Sequence, residues 1–432
     1  MTRSSSGWRG PVVLVTALHL LSTAGAWWIT DHGEILAVAD RFLNTGHLDL
    51  QTLGPGWEDW SRIVTARSST ETRFQPLSIL ALTPFLALDH LMGWRDPGSF
   101  RFVHLEGHFF VGLGLVLVGR FIGRQSGSLA VTALSVVLLG LNWPVWMIAR
   151  RLGPEPVLFA LLAAYATGGA RSRFWSQVLL PWVHASGPLL GLGALLWQAV
   201  DRRSIKDPLV SLPLVGLILG CSSLALLWNL PVHGHLLMGG YQAFATDRFF
   251  DLRNPLVGAL EQLGPMVAWT LPLWFLTVKG GRRVILATLA LWLPILAFLS
   301  FFSTPEPERR LAPGISAWVV IILARMRPLP RRVAIGLAAL ALTSGVAGLS
   351  RDFVDTVETP LGVFSGPILF LLHLAFRTGQ PLLAGSIALA LLSVACIAGS
   401  RTLELLADVA SSQDPSDPSA PREVPSGEPG PI

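Results

Sequence analysis

PVVLVTALHLLSTAGAWWITDHGEILAVADRFLNTG, residues 11–46, joins an apolar run to a carboxylate-bearing one, and that join decides how the chain is read. Pro11 to Ile29 is suited to a first membrane span, since about 20 apolar residues cross the ~30 Å hydrocarbon core of a bilayer. Asp31 and Glu34 then stand where that span emerges into water. A carboxylate is costly inside a bilayer and ordinary far from it. Held at the boundary, it can be partly desolvated and still meet an aqueous substrate. Residues 1–26 also mimic a secretory leader, with Arg3 and Arg9 ahead of an apolar core and Ala24-Gly-Ala26 behind it. The many apolar runs downstream favour a retained span instead.

Those runs recur near 76–93, 102–119, 127–148, 156–169, 174–200, 209–228, 264–278, 284–302, 313–325, 333–349, 362–376 and 381–399. The chain is 51% hydrophobic and 14% charged, whereas soluble domains carry roughly 25% charged residues. Membrane-barrel strands would alternate apolar and polar residues, and these runs do not. The expectation is an all-α integral membrane protein, a bundle of about 12–14 membrane helices with a helical first outer loop. The run 174–200 holds Pro181, His184, Gly187 and Pro188 in its middle. It reads as two short helices meeting at a polar break. From Arg401 the composition turns to Ser, Pro, Asp and Glu without periodicity. This divides the chain into a polytopic domain, 1–400, and a disordered tail, 401–432.

The net charge of +5 is almost all arginine on its basic side, Lys206 and Lys279 being the only lysines. No basic stripe with interleaved aromatics points to nucleic acid. Cys221 and Cys396 lie in apolar runs, which argues against a disulfide framework. Basic residues gather at 120–124, 171–173, 202–206, 279–283 and 325–332. All five groups can be cytoplasmic if 174–200 crosses twice and 76–93 does not cross fully. Arg150, Arg151, Arg248, Arg253, Arg309 and Arg310 then fall on the outer side, against the rule. Snorkelling to headgroups is the plain explanation for any one of them. A bound anion is the alternative, favoured for Arg309 and Arg310 in the short Pro-bounded loop STPEPERRLAP, 303–313.

The order of these features resembles the GT-C class of membrane glycosyltransferases, notably the protein O-mannosyltransferases and the lipid A aminoarabinose transferases. In those families an Asp-Glu pair follows the first span, with an Ala and a Gly beyond it. Asp31, Ala39 and Gly46 have similar spacing here, with His32 in place of the Glu and Glu34 displaced. The Pro-Pro-Leu turn is matched by RFQPL, 73–77, with Gln75 for the first Pro. Arg101, the run GRFIGR at 119–124 and MIARRLGPEP at 147–156 follow in order, Glu155 taking the place of a second Asp. Arg310-Leu311-Ala312-Pro313 stands for the late Arg-Tyr-Leu-Leu-Pro motif, without its Tyr. The likeness covers residues 10 to about 325.

The resemblance implies an enzyme of the cell membrane that takes a sugar from a polyprenyl-phosphate-linked donor to a hydroxyl acceptor on the outer face. Such a transfer needs a base for the attacking hydroxyl and positive charge for the departing phosphate. Asp31 is the candidate base, with an N-cap as its structural alternative. Glu34, one turn on, is either a second catalytic carboxylate or a solvated helix face. Arg309 and Arg310, with Arg150 and Arg151, are candidates for the phosphate. Glu155 either bridges Arg150 and Arg151 or joins Asp31 in holding a divalent cation, Mg²⁺ or Mn²⁺. His32, His184, His233 and His235 are read mainly as interfacial. Trp57 and Trp60, in the first outer loop, could stack on a sugar. The competing readings are a transporter or lipid flippase, and a non-catalytic GT-C relative. A transporter would show two related halves with ionisable residues at the midplane; here no internal repeat is visible and the charges gather at one face.

Overall fold

The structure, a computed structural model, describes residues 7–22, 30–48, 57, 75–95, 100, 102–184, 186–200, 220, 224, 227, 264, 266–299, 307–324, 326, 329–357 and 381–407. Every regular element among them is helical. In order they are α1 (Arg9–Leu21), α2 (Thr30–Thr45), α3 (Pro76–Leu91), α4 (Leu105–Ser126), α5 (Leu129–Gly140), α6 (Trp143–Ala149), α7 (Pro154–Thr167) and α8 (Ala170–Val183). Then come α9 (Gly187–Val200), α10 (Leu271–Lys279), α11 (Arg282–Leu299), α12 (Pro307–Leu311), α13 (Ile315–Leu323), α14 (Arg331–Val357) and α15 (Pro381–Ala407). Short 3-10 turns lie at Phe102–His104 and Ala312–Gly314.

The boundaries follow local chemistry. Helix α4 ends at Gly127, whose φ of 62° is the left-handed cap that glycine favours. Ser128 then opens α5, its hydroxyl accepting from the Val131 N–H at 3.3 Å. Asn142 caps α6 in the same way, accepting from the Val145 N–H at 3.4 Å. Among the described residues, two helices are long and apolar enough to cross a membrane, Phe102–Ser126 and Arg331–Leu349. The pair α5 and α6, bent by 68° at its break, makes a third if it is one span. Helix α1 has 13 residues, about 20 Å at 1.5 Å per residue; residues 23–29 of the expected first span lie outside the described residues.

In lipid the helices gain little from burying apolar surface, so close packing through small residues holds the bundle. Gly140 sits against Val15, Gly114 against Phe159, and Gly345 and Gly348 against Trp146 and Trp143, where an added Cβ would collide. Gly193 approaches the Leu291 carbonyl closely enough to leave no room for a methyl, which sets the crossing of α9 with α11. The run 174–200 is indeed two helices. They meet at His184–Ser186, and Gly187 lies against the Leu180 carbonyl. The tail boundary expected at 400 is corrected: α15 runs on through 401–407, with Leu406 and Thr402 buried. The run RTLELLA is rich in good helix formers. Residues 408–432 lie outside the described residues.

A second, smaller core lies beside the bundle. Helices α2 and α3 build it from Ile35, Val38, Ile79 and Leu86, closed by Trp57 and Phe100. Polar pins hold it in register. Both Asp89 oxygens accept from the turn at 102–104, at 2.8 Å from the Phe102 N–H and 3.0 Å from the Val103 N–H. Asp40 accepts from the Trp57 indole at 2.8 Å and lies 2.8 Å from His90 Nε2. Trp57 is 1% exposed, so it is a core residue and not a platform for a sugar. Leu152, from the turn between α6 and α7, also belongs to this core.

Candidate functional site

The turn MIARRLGPEP between α6 and α7 carries the most distinctive chemistry. Gly153 has a φ of 136°, in the region L side chains avoid, and it swings the chain from one helix into the next. Pro154 then takes the first position of α7, where a missing N–H is harmless. Glu155 is thereby fixed in the first turn, where the helix dipole favours a carboxylate. It stands just ahead of the apolar run 156–169 and is buried.

Two arginines converge on it. Arg309 Nε donates to Glu155 Oε1 at 2.8 Å, and Arg310 Nη1 donates to the same oxygen at 2.9 Å. Burial alone would push the Glu155 carboxyl up. Arg309, then Arg310 and His184, outweigh it and hold the group down at about 2. The loop bearing the arginines is itself braced. Gly314 packs under the Trp292 ring, and the Ser316 hydroxyl donates to the Phe159 carbonyl at 3.2 Å. Phe159 is one helical turn beyond Glu155, so this bond sets α13 beside α7 with the arginines over the carboxylate.

The break between α8 and α9 supplies the third side. His184 Nε2 lies 3.1 Å from Arg310 Nη1, and its Nδ1 lies 2.8 Å from the Ser186 hydroxyl. Both contacts of Arg310 thus fall on Nη1. Its Nε and Nη2 have no partner among the described residues, so the fork that binds phosphate oxygens in pairs is uncommitted. Arg309 is the more buried of the two arginines.

The remaining candidates divide. The expected bridge from Glu155 to Arg150 and Arg151 is not what forms: the partners are Arg309 and Arg310. Arg150 caps α6, and its Nε donates to the Ser22 carbonyl, tying down the end of α1 together with Trp146, whose indole donates to the Ser22 hydroxyl at 2.6 Å. Arg151 is half-buried in the same turn. Glu34 is 3% exposed, which removes the solvated-face reading. Asp31 and His32 lie in the first turn of α2, with side chains outside the described residues. His233, His235 and Trp60 are likewise outside them.

Of the two residues expected to hold a divalent cation, Glu155 is described and Asp31 has its side chain outside the described residues. Glu155 Oε1 is taken by two guanidinium groups, and among the described residues no three His, Cys, Asp or Glu side chains cluster. One residue escaped the sequence reading altogether. Glu106, in the first turn of α4, is fully buried beside the Gly153 N–H and within electrostatic reach of Glu155. Neither of its oxygens has a hydrogen bond of good geometry. Its signal was a carboxylate at the head of an apolar helix, in LEGH at 105–108.

No family model and no curated protein matches the chain. Two solved structures do. ArnT from Cupriavidus metallidurans bound to undecaprenyl phosphate superposes with a TM-score of 0.54 at 16% identity, covering 94% of this chain and 80% of that one. Its apo state gives 0.53 at 14% identity, covering 93% and 79%. At such identities the likeness is one of architecture, and it spans nearly the whole chain. The protein has the polytopic, all-α fold of the GT-C membrane glycosyltransferases.

Proposed function

We propose that this protein is a membrane glycosyltransferase that moves a sugar from a polyprenyl-phosphate-linked donor to a hydroxyl acceptor at the outer face. The observation that carries the reading is Arg310: two contacts pin its Nη1, and its Nε/Nη2 edge is open. An arginine so held presents a planar pair of donors to phosphate oxygens. It does so within a fold shared with a protein that binds undecaprenyl phosphate. In the step itself the acceptor oxygen attacks the anomeric carbon, and the bond from that carbon to the phosphate oxygen breaks. The hydroxyl proton passes to Asp31, and the polyprenyl phosphate leaves with the electron pair. Arg310 and Arg309 stabilise the charge that grows on the leaving phosphate.

The test is transfer of label from polyprenyl-phosphate sugars by membranes containing the protein. Replacing Arg310 by Ala should weaken donor binding about ten- to a hundredfold, the loss of a charge-assisted contact of ~1.5–3 kcal/mol. Lys should restore it only partly, because it lacks the planar fork. Absence of transfer by the wild-type protein from every such donor would overturn the reading.

The outer-face assignment has its own test. The charge distribution puts loops 30–75 and 229–263 outside and 202–206 and 325–332 in the cytoplasm. In a variant lacking Cys221 and Cys396, a Cys placed at Ser204 should resist an impermeant thiol reagent in intact cells. Labelling at that position would reverse the topology and the side of the chemistry with it.

A further inference from the structure

Resting on the reading above, we propose that His184 is the positioning residue that aims the open edge of Arg310 at the donor's phosphate. A guanidinium only donates, so the 3.1 Å contact requires His184 Nε2 to accept. The single ring proton is then on Nδ1 and is donated to the Ser186 hydroxyl at 2.8 Å. The opposite tautomer would let Nδ1 accept from the Ser186 backbone N–H at 3.1 Å, but it would point an N–H at Arg310. Only the first tautomer holds the arginine. Without His184, Nη1 keeps one anchor, Glu155 Oε1, and the guanidinium pivots about it. With both anchors the plane of the group is fixed and the direction of its Nε/Nη2 edge follows.

The backbone explains why a histidine can serve here. His184 caps α8 in an extended conformation, with φ of −158° and ψ of 153°, which turns its side chain out of the helix stack. Gly187 allows α9 to start directly against the Leu180 carbonyl, so the break stays short and the ring stays close. Among the described residues, Arg310 on α12 and Glu155 on α7 are charged groups that face the imidazole. A second proton on the ring would abolish the acceptor and set a like charge against Arg310. An unperturbed imidazole changes charge between about pH 5 and 8, the range over which this loss is sought.

The experiment is binding of undecaprenyl phosphate to the purified full-length protein in detergent, across that pH range. Replacing His184 by Ala should weaken binding about tenfold, the scale of one hydrogen bond to a charged group. His184→Gln, whose amide oxygen can accept from Arg310, should restore most of it at neutral pH. It should also lack the extra acid-side loss seen in the wild type, the ligand's own titration being common to both. Equal affinities and identical pH profiles for wild type, His184→Ala and His184→Gln would overturn the positioning role. If Arg310→Ala then still weakens binding, the phosphate site stands and only the role of His184 falls. A wild-type protein that binds no undecaprenyl phosphate at any pH overturns the phosphate reading, and this inference with it.

Discussion

Replacing Asp31 by Asn is expected to cut sugar transfer about 10²–10⁴-fold, the usual loss when a general base is removed. Membrane insertion and abundance should be unchanged. The amide keeps the size and much of the capping ability of the carboxylate, since Asn and Asp serve almost equally at helix N-termini. What it loses is basicity. Asp31 is the second residue of α2, which starts at Thr30 and packs its later turns into the small core around Trp57. A base must be held in place if it is to meet a hydroxyl at one position. Full activity in the Asn variant would dismiss Asp31 as the base. A fall in abundance without a fall in specific activity would make it a cap.

Glu155→Gln should lower stability by about 3–5 kcal/mol, because removing one partner of a buried ion pair strands the other charge. Here two charges are stranded, Arg309 and Arg310, both sharing one oxygen. The gap from wild type should depend on acidity in a known sense. The Glu155 carboxyl is lowered from 4.5 to about 2, so its contribution is complete above about pH 4.5 and is lost as pH falls through 2. The two proteins should therefore converge on acidification and differ fully at neutrality. Undecaprenyl phosphate brings back a negative charge. It should stabilise the Gln variant more than the wild type in a thermal unfolding series. Equal shifts in both proteins would mean that the lipid's phosphate does not reach these arginines.

Much of the architecture was legible in local patterns. Apolar runs mark helices, and the cluster of Pro181, His184, Gly187 and Pro188 marks the break between α8 and α9. GPEP marks a helix start with a carboxylate in its first turn. The site was legible only in pieces. Arg309 and Arg310 drew notice by sitting on the wrong side of a charge rule, and Glu155 by a motif position. That they meet depends on α13 packing against α7, a contact between chain segments about 150 residues apart, and no local rule encodes it. The same blindness assigned Glu155 to the arginines next to it in sequence. Trp57 was misjudged because a loop tryptophan reads as exposed until its indole is seen bonded to Asp40. Glu106 went unread because one carboxylate at the edge of a long apolar run is easily taken for a boundary marker.

The turn between α6 and α7 has one more property. Leu152 is buried in the small core with α2, while Glu155, three residues on, holds the arginine pair. The helix bearing Asp31 and the arginine pair proposed to read the phosphate are thus tied to the two ends of one short stretch of chain, turned at Gly153 and restricted by the ring of Pro154. If an occupant at either end shifts this stretch, the two ends are linked thermodynamically: what settles against α2 then biases how Glu155 sits, and what engages the arginines biases α2 by the same free energy. Hydroxyl compound and lipid carrier would then sense each other's arrival before any bond is made, and the affinity for each should depend on the presence of the other.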